Sequence, residues 1–347
     1  MVVMRIAIVS PYSVGPMRGN ITTVKRIARS LGEAGANVIV LPVDSMPFDE
    51  MKRRLSAFSP DIIHGFHAYF GGDVARRLAL PLLIPFVLTL TGSDINDAAM
   101  REHPATLGSV LAAARIVCFD TSIAATVRRH FPAAADRLSV IPQGVSTLPL
   151  MGDHDFGLPP DVLVLLLPAA LRPVKNVEFP VQALSDLPAG CKPVMLVIAG
   201  GEIDPPYAAG IRRLIDGNPS VVWLGEVAYE RMGDLYCRAD VVLNCSRFEG
   251  MPNSLMEAMS LGRPVLAADI PGNSLLVRHN ETGLLYRDRS AFIELVVRLQ
   301  GDPALRERLG SGAARYVQEN FPPLCEAGRY MALYQEVLQG RTFPCLS

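Results

Sequence analysis

Short runs of apolar, often β-branched residues recur along the whole chain and are separated by stretches with the apolar spacing of helices. In the first half these runs cover residues 3–9, 37–41, 62–63, 84–90, 116–119 and 138–141. In the second half they cover residues 162–167, 194–199, 221–224, 241–243, 264–267 and 284–286. Strands that are apolar throughout are typical of a parallel sheet with helices on both faces. The pattern therefore predicts an α/β protein with two doubly wound parallel sheets.

The periodicity stops between residues 147 and 160, where Gly, Pro and Asp cluster, and this break predicts the joint between two domains. A chain of 347 residues is also long for a single hydrophobic core. We therefore expect Rossmann-like domains at residues 1–150 and 160–322. The final segment, residues 323–347, carries a helical pattern, and a helix there is able to cross back to the first domain.

A predicted helix at residues 22–34 has one apolar face and a second face that carries Lys25, Arg26 and Arg29. A solvated surface is the default interpretation of that second face. Weak peripheral contact with a membrane or an anionic acceptor is the alternative.

Composition and charge bear on the partners that the protein could bind. Half of the residues are apolar, 19% are charged and the formal net charge is −1, so a nucleic-acid partner is not expected. Residues 1–150 carry 15 Lys and Arg against 11 Asp and Glu, whereas residues 151–347 carry 18 against 23. This slight basic excess in the first half is weak evidence for anionic partners.

The six cysteines are scattered and form no Cys-x-x-Cys pair, which indicates reduced thiols in a cytoplasmic protein. The N-terminal sequence lacks the pattern of a signal peptide, and no apolar run reaches membrane-spanning length. The apolar stretch at residues 80–90 holds two prolines and is interpreted as a buried strand with its lead-in.

The most informative stretch lies at residues 246–259, where Glu249 and Glu257 stand eight residues apart around a Gly-Met-Pro-Asn turn. Glu249 would lie on the loop after a buried strand, and Glu257 within the following helix. Backbone N–H groups at a helix N-terminus favour phosphate and other anions. Two carboxylates beside an anion site suggest a polyhydroxylated group joined to phosphate, as in a nucleotide-sugar.

Each carboxylate also has a simpler explanation. Ser254 and Glu257 have the spacing of a capping box, which alone would account for Glu257. Glu249 alone could be a solvated loop residue.

Other candidate residues follow predicted strands, where ligands of such sheets bind. Gly19 and Asn20 open a helix after the first strand, and Asp94 could meet substrate hydroxyls or cap the next helix. Arg172 and Lys175 could grip a diphosphate, unless they are two solvated cations. Gly200 and Gly225, the latter in one turn with Val227, would allow close approach of a flat nucleobase, unless each is only a strand-end turn.

Several rival chemistries lack their motifs. No G-x-G-x-x-G opens a strand–helix unit, and no Walker loop is present. His64 and His67 lack a third ligand and a helix setting, so no metal is expected there. No Asp-x-Asp pair offers a divalent-metal clamp for a diphosphate. We therefore expect neither a metal nor a cofactor.

Arg172-x-x-Lys175, Glu249-x7-Glu257 and the following Ala-Met-Ser-x-Gly-x-Pro-Val together resemble glycosyltransferase family 4. The resemblance extends from Gly19 to the last helix and is strongest over residues 170–290. It implies the GT-B fold, with two Rossmann-like domains facing a cleft, and retaining transfer from a nucleotide-sugar donor. Residues 92–96, 171–176 and 270–273 are most similar to the small "glycosyltransferase 1 domain-containing" group, whose bacterial relatives include selenosugar synthases.

The resemblance also implies roles for individual residues. Arg172 and Lys175 would hold the donor diphosphate and stabilise the leaving group without a metal. Glu249 would contact the sugar hydroxyls, and Glu257 would bind the ribose. Gly19 would approach the phosphate from the first domain. One further stretch would contact sugar and phosphate: Gly250, Met251, Pro252, Asn253 and Ser254.

The chain departs from the family pattern at Thr91, where many relatives carry a histidine, and Asp94 becomes the next candidate on the acceptor side. The expected activity is metal-independent transfer from a nucleoside-diphosphate sugar, with UDP as the default nucleotide, to an acceptor that the sequence does not identify. The sequence does not indicate the oligomeric state either. The alternatives are a catalytically silent nucleotide-sugar scaffold and a GT-B sugar epimerase or selenosugar synthase.

Overall fold

The computed structural model describes residues 3–13, 19–152 and 156–340, which divide into two compact units. The first unit contains residues 3–13, 19–144 and 321–340, and the second contains residues 145–152 and 156–320. Each unit holds one six-stranded sheet in which all strand pairs are parallel. This confirms the predicted α/β architecture of two doubly wound sheets.

The first sheet has the strand order β2-β1-β3-β4-β5-β6. Its strands are β1 (Arg5–Ser10), β2 (Asn37–Pro42), β3 (Ile62–Phe66), β4 (Phe86–Leu90), β5 (Arg115–Cys118) and β6 (Leu138–Val140). The helices between them are α1 (Gly19–Glu33), α2 (Phe48–Phe58), α3 (Asp73–Leu82), α4 (Ser93–Asn96), α5 (Ala98–Arg101), α6 (Pro104–Ala112) and α7 (Thr121–His130).

The second sheet has the strand order β12-β11-β10-β7-β8-β9. Its strands are β7 (Leu163–Pro168), β8 (Val194–Ala199), β9 (Val221–Trp223), β10 (Val241–Asn244), β11 (Val265–Ala268) and β12 (Leu284–Tyr286). Its helices are α8 (Glu178–Leu184), α9 (Pro205–Ile215), α10 (Tyr229–Arg238), α11 (Asn253–Ser260), α12 (Pro271–Ser274), α13 (Arg289–Gly301) and α14 (Pro303–Asn320).

The last helix, α15 (Pro323–Gln339), belongs to the first unit and packs against α1. Ile6 and Ile8 of β1 share a buried cluster with residues of α1 and α15, whereas Ala7 and Val9 face a second cluster on the other side of the sheet. Both faces of β1 are therefore buried, which explains why its sequence does not alternate between apolar and polar residues.

Buried polar contacts attach α15 to the first sheet. The His64 imidazole contacts the Tyr334 hydroxyl through Nδ1 (2.6 Å) and the Thr89 hydroxyl through Nε2 (2.7 Å). All three side chains are fully buried. Burial lowers the pKa of His64 to about 3, so its ring is neutral at physiological pH. His64 therefore contributes to helix docking, and its place inside the core explains its position within an apolar strand.

Arg26 does not lie on a solvated face of α1, in contrast to the default interpretation of its sequence. Its side chain is 4% exposed and makes a two-pronged ion pair with Glu326 of α15, from Nε to Oε2 (3.0 Å) and from Nη2 to Oε1 (3.1 Å). Gln143 accepts a further hydrogen bond from Arg26 Nη2 (3.2 Å). The partner that buries this arginine lies 300 residues away in sequence.

The apolar stretch at residues 80–90 is also arranged differently from its predicted form. Its first residues end helix α3, which includes Pro81, and strand β4 begins only at Phe86. Leu82 and Leu83 are 50% and 73% exposed, so the lead-in is not buried.

Replacing Arg26 tests how strongly the buried ion pair stabilises the first unit. Arg26→Ala leaves the Glu326 carboxylate buried without its cation, so we expect the free energy of unfolding to fall by about 3–5 kcal/mol. Arg29→Ala is the matched control, because Arg29 lies on the same helix and pairs with Glu33 while 76% exposed. That control should lose only about 0.3–0.5 kcal/mol. Urea denaturation followed by circular dichroism measures both, and equal losses would contradict a special role for the buried pair.

Candidate functional site

The candidate residues of the second unit converge because its strands are parallel and end at one edge of the sheet. Arg172 and Lys175 follow β7, Glu249 follows β10, and α12 follows β11, which pairs with β10. Residues 173–175 form a single 3₁₀ turn with Arg172 at its N-cap. The geometry therefore brings Lys175 to Glu249, which lies 74 residues away in sequence.

Lys175 and Glu249 form a direct ion pair, with 2.6 Å between Nζ and Oε1. The two side chains are only 17% and 14% exposed. Ser246 Oγ (2.7 Å) and the Asn244 side-chain amide (3.3 Å) donate hydrogen bonds to the same oxygen. Glu249 is therefore not a solvated loop residue, which was the simpler alternative for it.

The charge state of Glu249 follows from these contacts. Burial raises the pKa of the Glu249 carboxyl. The Lys175 charge and the hydrogen bonds from Lys175, Ser246 and Asn244 lower it by more than burial raises it, so the pKa lies below its ordinary value. Glu249 is an anion at neutral pH. Among the described residues none donates to its second oxygen, Oε2.

The loop that carries Arg172 is fixed by backbone hydrogen bonds to the chain after β8. Leu171 N donates to Gly201 O (2.8 Å), and Leu171 O accepts from Ile203 N (3.3 Å) and Asp204 N (3.1 Å). Arg172 itself is half-buried with an extended backbone. These bonds fix the backbone of Leu171, directly before Arg172 and four residues before Lys175.

The glycines predicted to admit a nucleobase have different surroundings. Gly200 has a φ of +158°, and a Cβ there would lie 2.2 Å from Ala169 O, so close packing against the end of β7 requires glycine. Gly225 has a φ of +70° with open space around it, in the turn after β9, and Val227 is half-buried in the same turn. Gly200 is thus required by packing, and the predicted base-binding role of Gly200, Gly225 and Val227 stays a prediction.

Glu257 does not take part in a capping box. Helix α11 begins at Asn253 with Pro252 as its N-cap and no side-chain cap, so Ser254 lies inside the helix. Glu257 is 6% exposed, and its Oε2 accepts a hydrogen bond from the buried Tyr236 hydroxyl (2.9 Å). The capping alternative is wrong for this residue, whereas its predicted ribose-binding role stays a prediction.

Residues 250–254 form the turn and the first residues of α11. The first backbone N–H groups of a helix have no acceptor within the helix and favour an anion. Gly250 is buried, and a Cβ on Gly272 of α12 would lie 2.1 Å from Gly250 O and 2.4 Å from Glu249 O. Helix α12 therefore packs directly on the backbone of the Glu249 loop and fixes its position.

Sequence reasoning missed the side chains that support the two carboxylates. Asn244 and Asn273 lie behind Glu249, and Tyr236 lies behind Glu257. Two signals were available for the asparagines: Asn244 ends a predicted buried strand, and Asn273 lies in the stretch 270–273 that resembles the small family group. Tyr236 lies on an ordinary amphipathic helix, α10, and nothing in its local sequence marks it.

Asp94, assigned to the acceptor side, is fully buried in the first unit and does not present a free oxygen. Its Oδ1 accepts from the backbone N–H groups of Thr91 (3.1 Å) and Gly92 (2.9 Å), and its Oδ2 accepts from Ala68 N (2.8 Å). Asp94 lies within α4, whose N-cap residue is Gly92 and which has no side-chain cap, so the helix-capping alternative is wrong. Its contacts fix the loop after β4 instead and leave it poorly placed to meet substrate hydroxyls.

Gly19 and Asn20 are the first two residues of α1, and Gly19 is exposed. Most of the loop before them, residues 14–18, lies outside the described residues, so the predicted phosphate contact of Gly19 and Asn20 stays a prediction.

Nowhere in residues 3–13, 19–152 and 156–340 do three or more His, Cys, Asp or Glu side chains gather as a metal site would require. None of the helices in these ranges combines the length and the apolar character needed to cross a membrane.

In comparisons with known proteins, each of the two units matches a glycosyltransferase family model. The family model "Glycosyltransferase Family 4" matches residues 41–147, and the model "Glycosyl transferases group 1" matches residues 163–302. Glycosyltransferase 1 domain-containing protein 1 of Xenopus tropicalis is 29% identical over 91% of this chain and 93% of its own length. A D-inositol 3-phosphate glycosyltransferase of Acidothermus cellulolyticus is 28% identical over 81% of this chain and 71% of its own length.

Solved structures share the fold across nearly the whole chain. Sucrose-phosphate synthase from Thermosynechococcus elongatus superimposes with a TM-score of 0.79 at 20% identity, covering 97% of this chain and 100% of that one. Anabaena HepE in complex with UDP-glucose gives a TM-score of 0.79 at 16% identity, covering 96% and 100%. Because each unit matches a glycosyltransferase family model, the chain is a family 4-type glycosyltransferase of the GT-B group.

Proposed function

We propose that this glycosyltransferase moves a sugar from a nucleoside diphosphate to its acceptor with retention of configuration and without a metal ion, and that UDP is the nucleotide. The observation that carries the proposal is the ionised, half-buried Glu249 carboxylate, which lies at the carboxyl edge of the second sheet with Lys175 on one oxygen. Its other oxygen, Oε2, is suited to accept hydrogen bonds from sugar hydroxyls.

The diphosphate is assigned to Arg172 and the N-terminus of α11. Arg172 is always charged and offers a planar set of donors that matches phosphate oxygens. Because Lys175 is engaged with Glu249, its charge is partly balanced before a donor arrives. Lys175 then has two tasks, to orient Glu249 and to add charge beside the leaving phosphate. Fixed cations and helix N–H groups of this kind stabilise charge that develops on a leaving group.

Retention is assigned to attack on the same face of the sugar that the leaving group departs from, with the substrates themselves transferring the proton. The acceptor hydroxyl attacks the anomeric carbon on the face from which the diphosphate departs, and a leaving phosphate oxygen takes its proton. Asp94 is held by three backbone N–H groups and is not placed to act as the base. The proposal therefore needs no protein nucleophile and no acceptor-side carboxylate.

The choice of UDP is supported by structural relatives. Anabaena HepE was solved in complex with UDP-glucose and with UDP and glucose, and it has the same fold at 16–17% identity. The acceptor is left unassigned.

Thermal shift against nucleotides tests the proposal most directly. A ligand at about 100 times its dissociation constant adds roughly 2.7 kcal/mol, which raises the melting temperature by several degrees. We expect UDP and UDP-sugars to stabilise the protein more than GDP, ADP and their conjugates, equally in magnesium and in EDTA. Stabilisation that requires magnesium would contradict metal independence, and no shift with any nucleotide would favour a catalytically silent scaffold.

Removing either cation should slow the reaction and leave the fold intact. Arg172→Ala and Lys175→Ala are each expected to lower turnover by about 10²–10³-fold, because both stabilise charge on the leaving group. Arg308→Ala, an exposed arginine on α14, is the control and should keep full turnover. Unchanged turnover in either test variant would remove that residue from the mechanism.

The two cation variants should differ in pH dependence. In Lys175→Ala the charge and the hydrogen bond that lower the pKa of Glu249 are lost, while burial still raises it. The carboxylate is therefore protonated at a higher pH. The activity of Lys175→Ala should therefore decline as pH falls through this raised pKa, at a higher pH than in the wild type. Arg172→Ala should keep the wild-type profile on the acid side.

Substitution of the two glutamates should separate the two parts of the donor. Glu257→Gln is expected to weaken binding of UDP itself by about tenfold, because it removes a charged acceptor for the ribose hydroxyls. Glu249→Gln should leave UDP affinity unchanged and slow only the sugar-dependent steps. Isothermal titration with UDP and release of UDP from UDP-glucose provide the two readouts. The reverse pattern would exchange the two assignments.

A further inference from the structure

Two buried asparagines lie in series behind Glu249. Asn244 ends β10 and is 3% exposed, and Asn273 lies on α12 and is fully buried. The Asn273 amide donates to Asn244 Oδ1 (3.2 Å), and the Asn244 amide donates to Glu249 Oε1 (3.3 Å). The chain of contacts therefore connects α12 to the carboxylate through side-chain amides alone.

The orientation of both amides is fixed by their surroundings. The Asn273 NH₂ group faces two oxygens, Asn244 Oδ1 and Ala268 O (2.9 Å), so the opposite amide orientation would place oxygen against oxygen. Asn244 Oδ1 accepts from Asn273 and from Ser246 N (3.1 Å), and both of its lone pairs are then used. The Asn244 NH₂ group must consequently point at Glu249.

If stability alone determined the residue at position 273, asparagine would be an unfavourable choice. Its Oδ1 is buried and has no hydrogen-bond partner among the described residues. A buried polar atom without a partner destabilises the folded state, and an apolar group of the same shape avoids that loss. What Asn273 offers in return is its pair of donors, one of which fixes Asn244.

We propose that Asn273 and Asn244 are positioning residues that keep a donor on Glu249 Oε1 and so reserve Oε2 for the hydroxyls of the donor sugar. The proposal rests on the assignment of Glu249 to the donor sugar. Lys175, Ser246 and Asn244 together place three donors on Oε1. A carboxylate held in this way presents one oxygen, in one direction, to the ligand. Glu249 Oε2 therefore favours a donor sugar with a hydroxyl group placed to donate a hydrogen bond to it.

Asn273→Leu separates positioning from structural support. The substitution removes the donor to Asn244 together with the unpaired Oδ1. Ala268 O keeps a hydrogen bond from Ile270 N (2.9 Å), and Asn244 Oδ1 keeps the one from Ser246 N. We expect an unchanged or higher melting temperature, unchanged affinity for UDP, and kcat for hydrolysis of UDP-glucose reduced by about five- to tenfold.

Asn244→Asp reverses the polarity of the contact while keeping the side-chain shape. The new carboxylate faces Glu249 Oε1, with Lys175 as the cation beside both. Like charges this close raise the pKa of one carboxyl group, so about a hundredfold loss of kcat is expected at pH 7.5. Activity should partly return as the pH falls and one shared proton replaces the amide hydrogen.

Thr282→Val is the matched control in the same unit. Thr282 is 4% exposed, and its hydroxyl accepts from Arg278 N (2.9 Å). The control should lower the melting temperature and leave kcat unchanged.

The outcomes separate the inference from the proposed function. Wild-type kcat in both asparagine variants, or a loss that only follows the melting temperature as a structural role would give, overturns the inference and leaves the proposed function standing. A wild-type protein that neither binds UDP nor releases it from UDP-glucose overturns the proposed donor, and the inference falls with it.

Discussion

The ion pair between Lys175 and Glu249 is the interaction on which the candidate site depends. Taking a carboxylate out of water is unfavourable unless a cation and hydrogen bonds compensate for the lost solvation. Lys175 supplies the charge, and Ser246 and Asn244 supply the remaining donors. Because all three act on one oxygen, the carboxylate is both ionised and fixed in direction. A half-buried anion with one accessible oxygen is suited to recognise a neutral, hydroxyl-rich group.

Parallel topology is what brings these groups together. The loops after β7 and β10 come from neighbouring strands of one sheet, and the turn into α12 follows the next strand along. Close backbone packing then sets their spacing, since Gly200 admits Ala169 O and Gly272 admits the carbonyls of Glu249 and Gly250. The site is therefore positioned by backbone contacts that tolerate almost no added atoms.

The fold followed from the sequence more fully than the site did. Twelve apolar runs predicted the strands because a strand buried on both faces carries a strong local signal. The stretch at residues 80–90 was an exception, since Leu80 and Leu82 end a helix and apolar composition alone does not distinguish the two states.

The side chains of the site depend on partners that are distant in sequence. Glu257 matched a capping box, but the helix begins two residues too early and Tyr236 provides its contact instead. Asp94 was predicted to contact a ligand or to cap the next helix, and its hydrogen bond from Ala68 N, 26 residues away, is one that the local sequence does not reveal. Arg26 was assigned to a solvated face because helical periodicity does not reveal Glu326. In each case the local pattern fixes the element, and a distant residue decides the role of the side chain.

The return of α15 to the first unit makes that unit discontinuous along the chain. Residues 19–144 leave the ribosome before the second unit, but Glu326, Tyr334 and Tyr330, which contact Arg26, His64 and Thr89, are made after it. The second unit, residues 145–320, is complete before then. Domains generally fold as units during synthesis, in the order in which they emerge. Here the order is reversed: the unit that begins first is completed second, because α15 and its contacts with Arg26, His64 and Thr89 form only after residues 145–320 have been made.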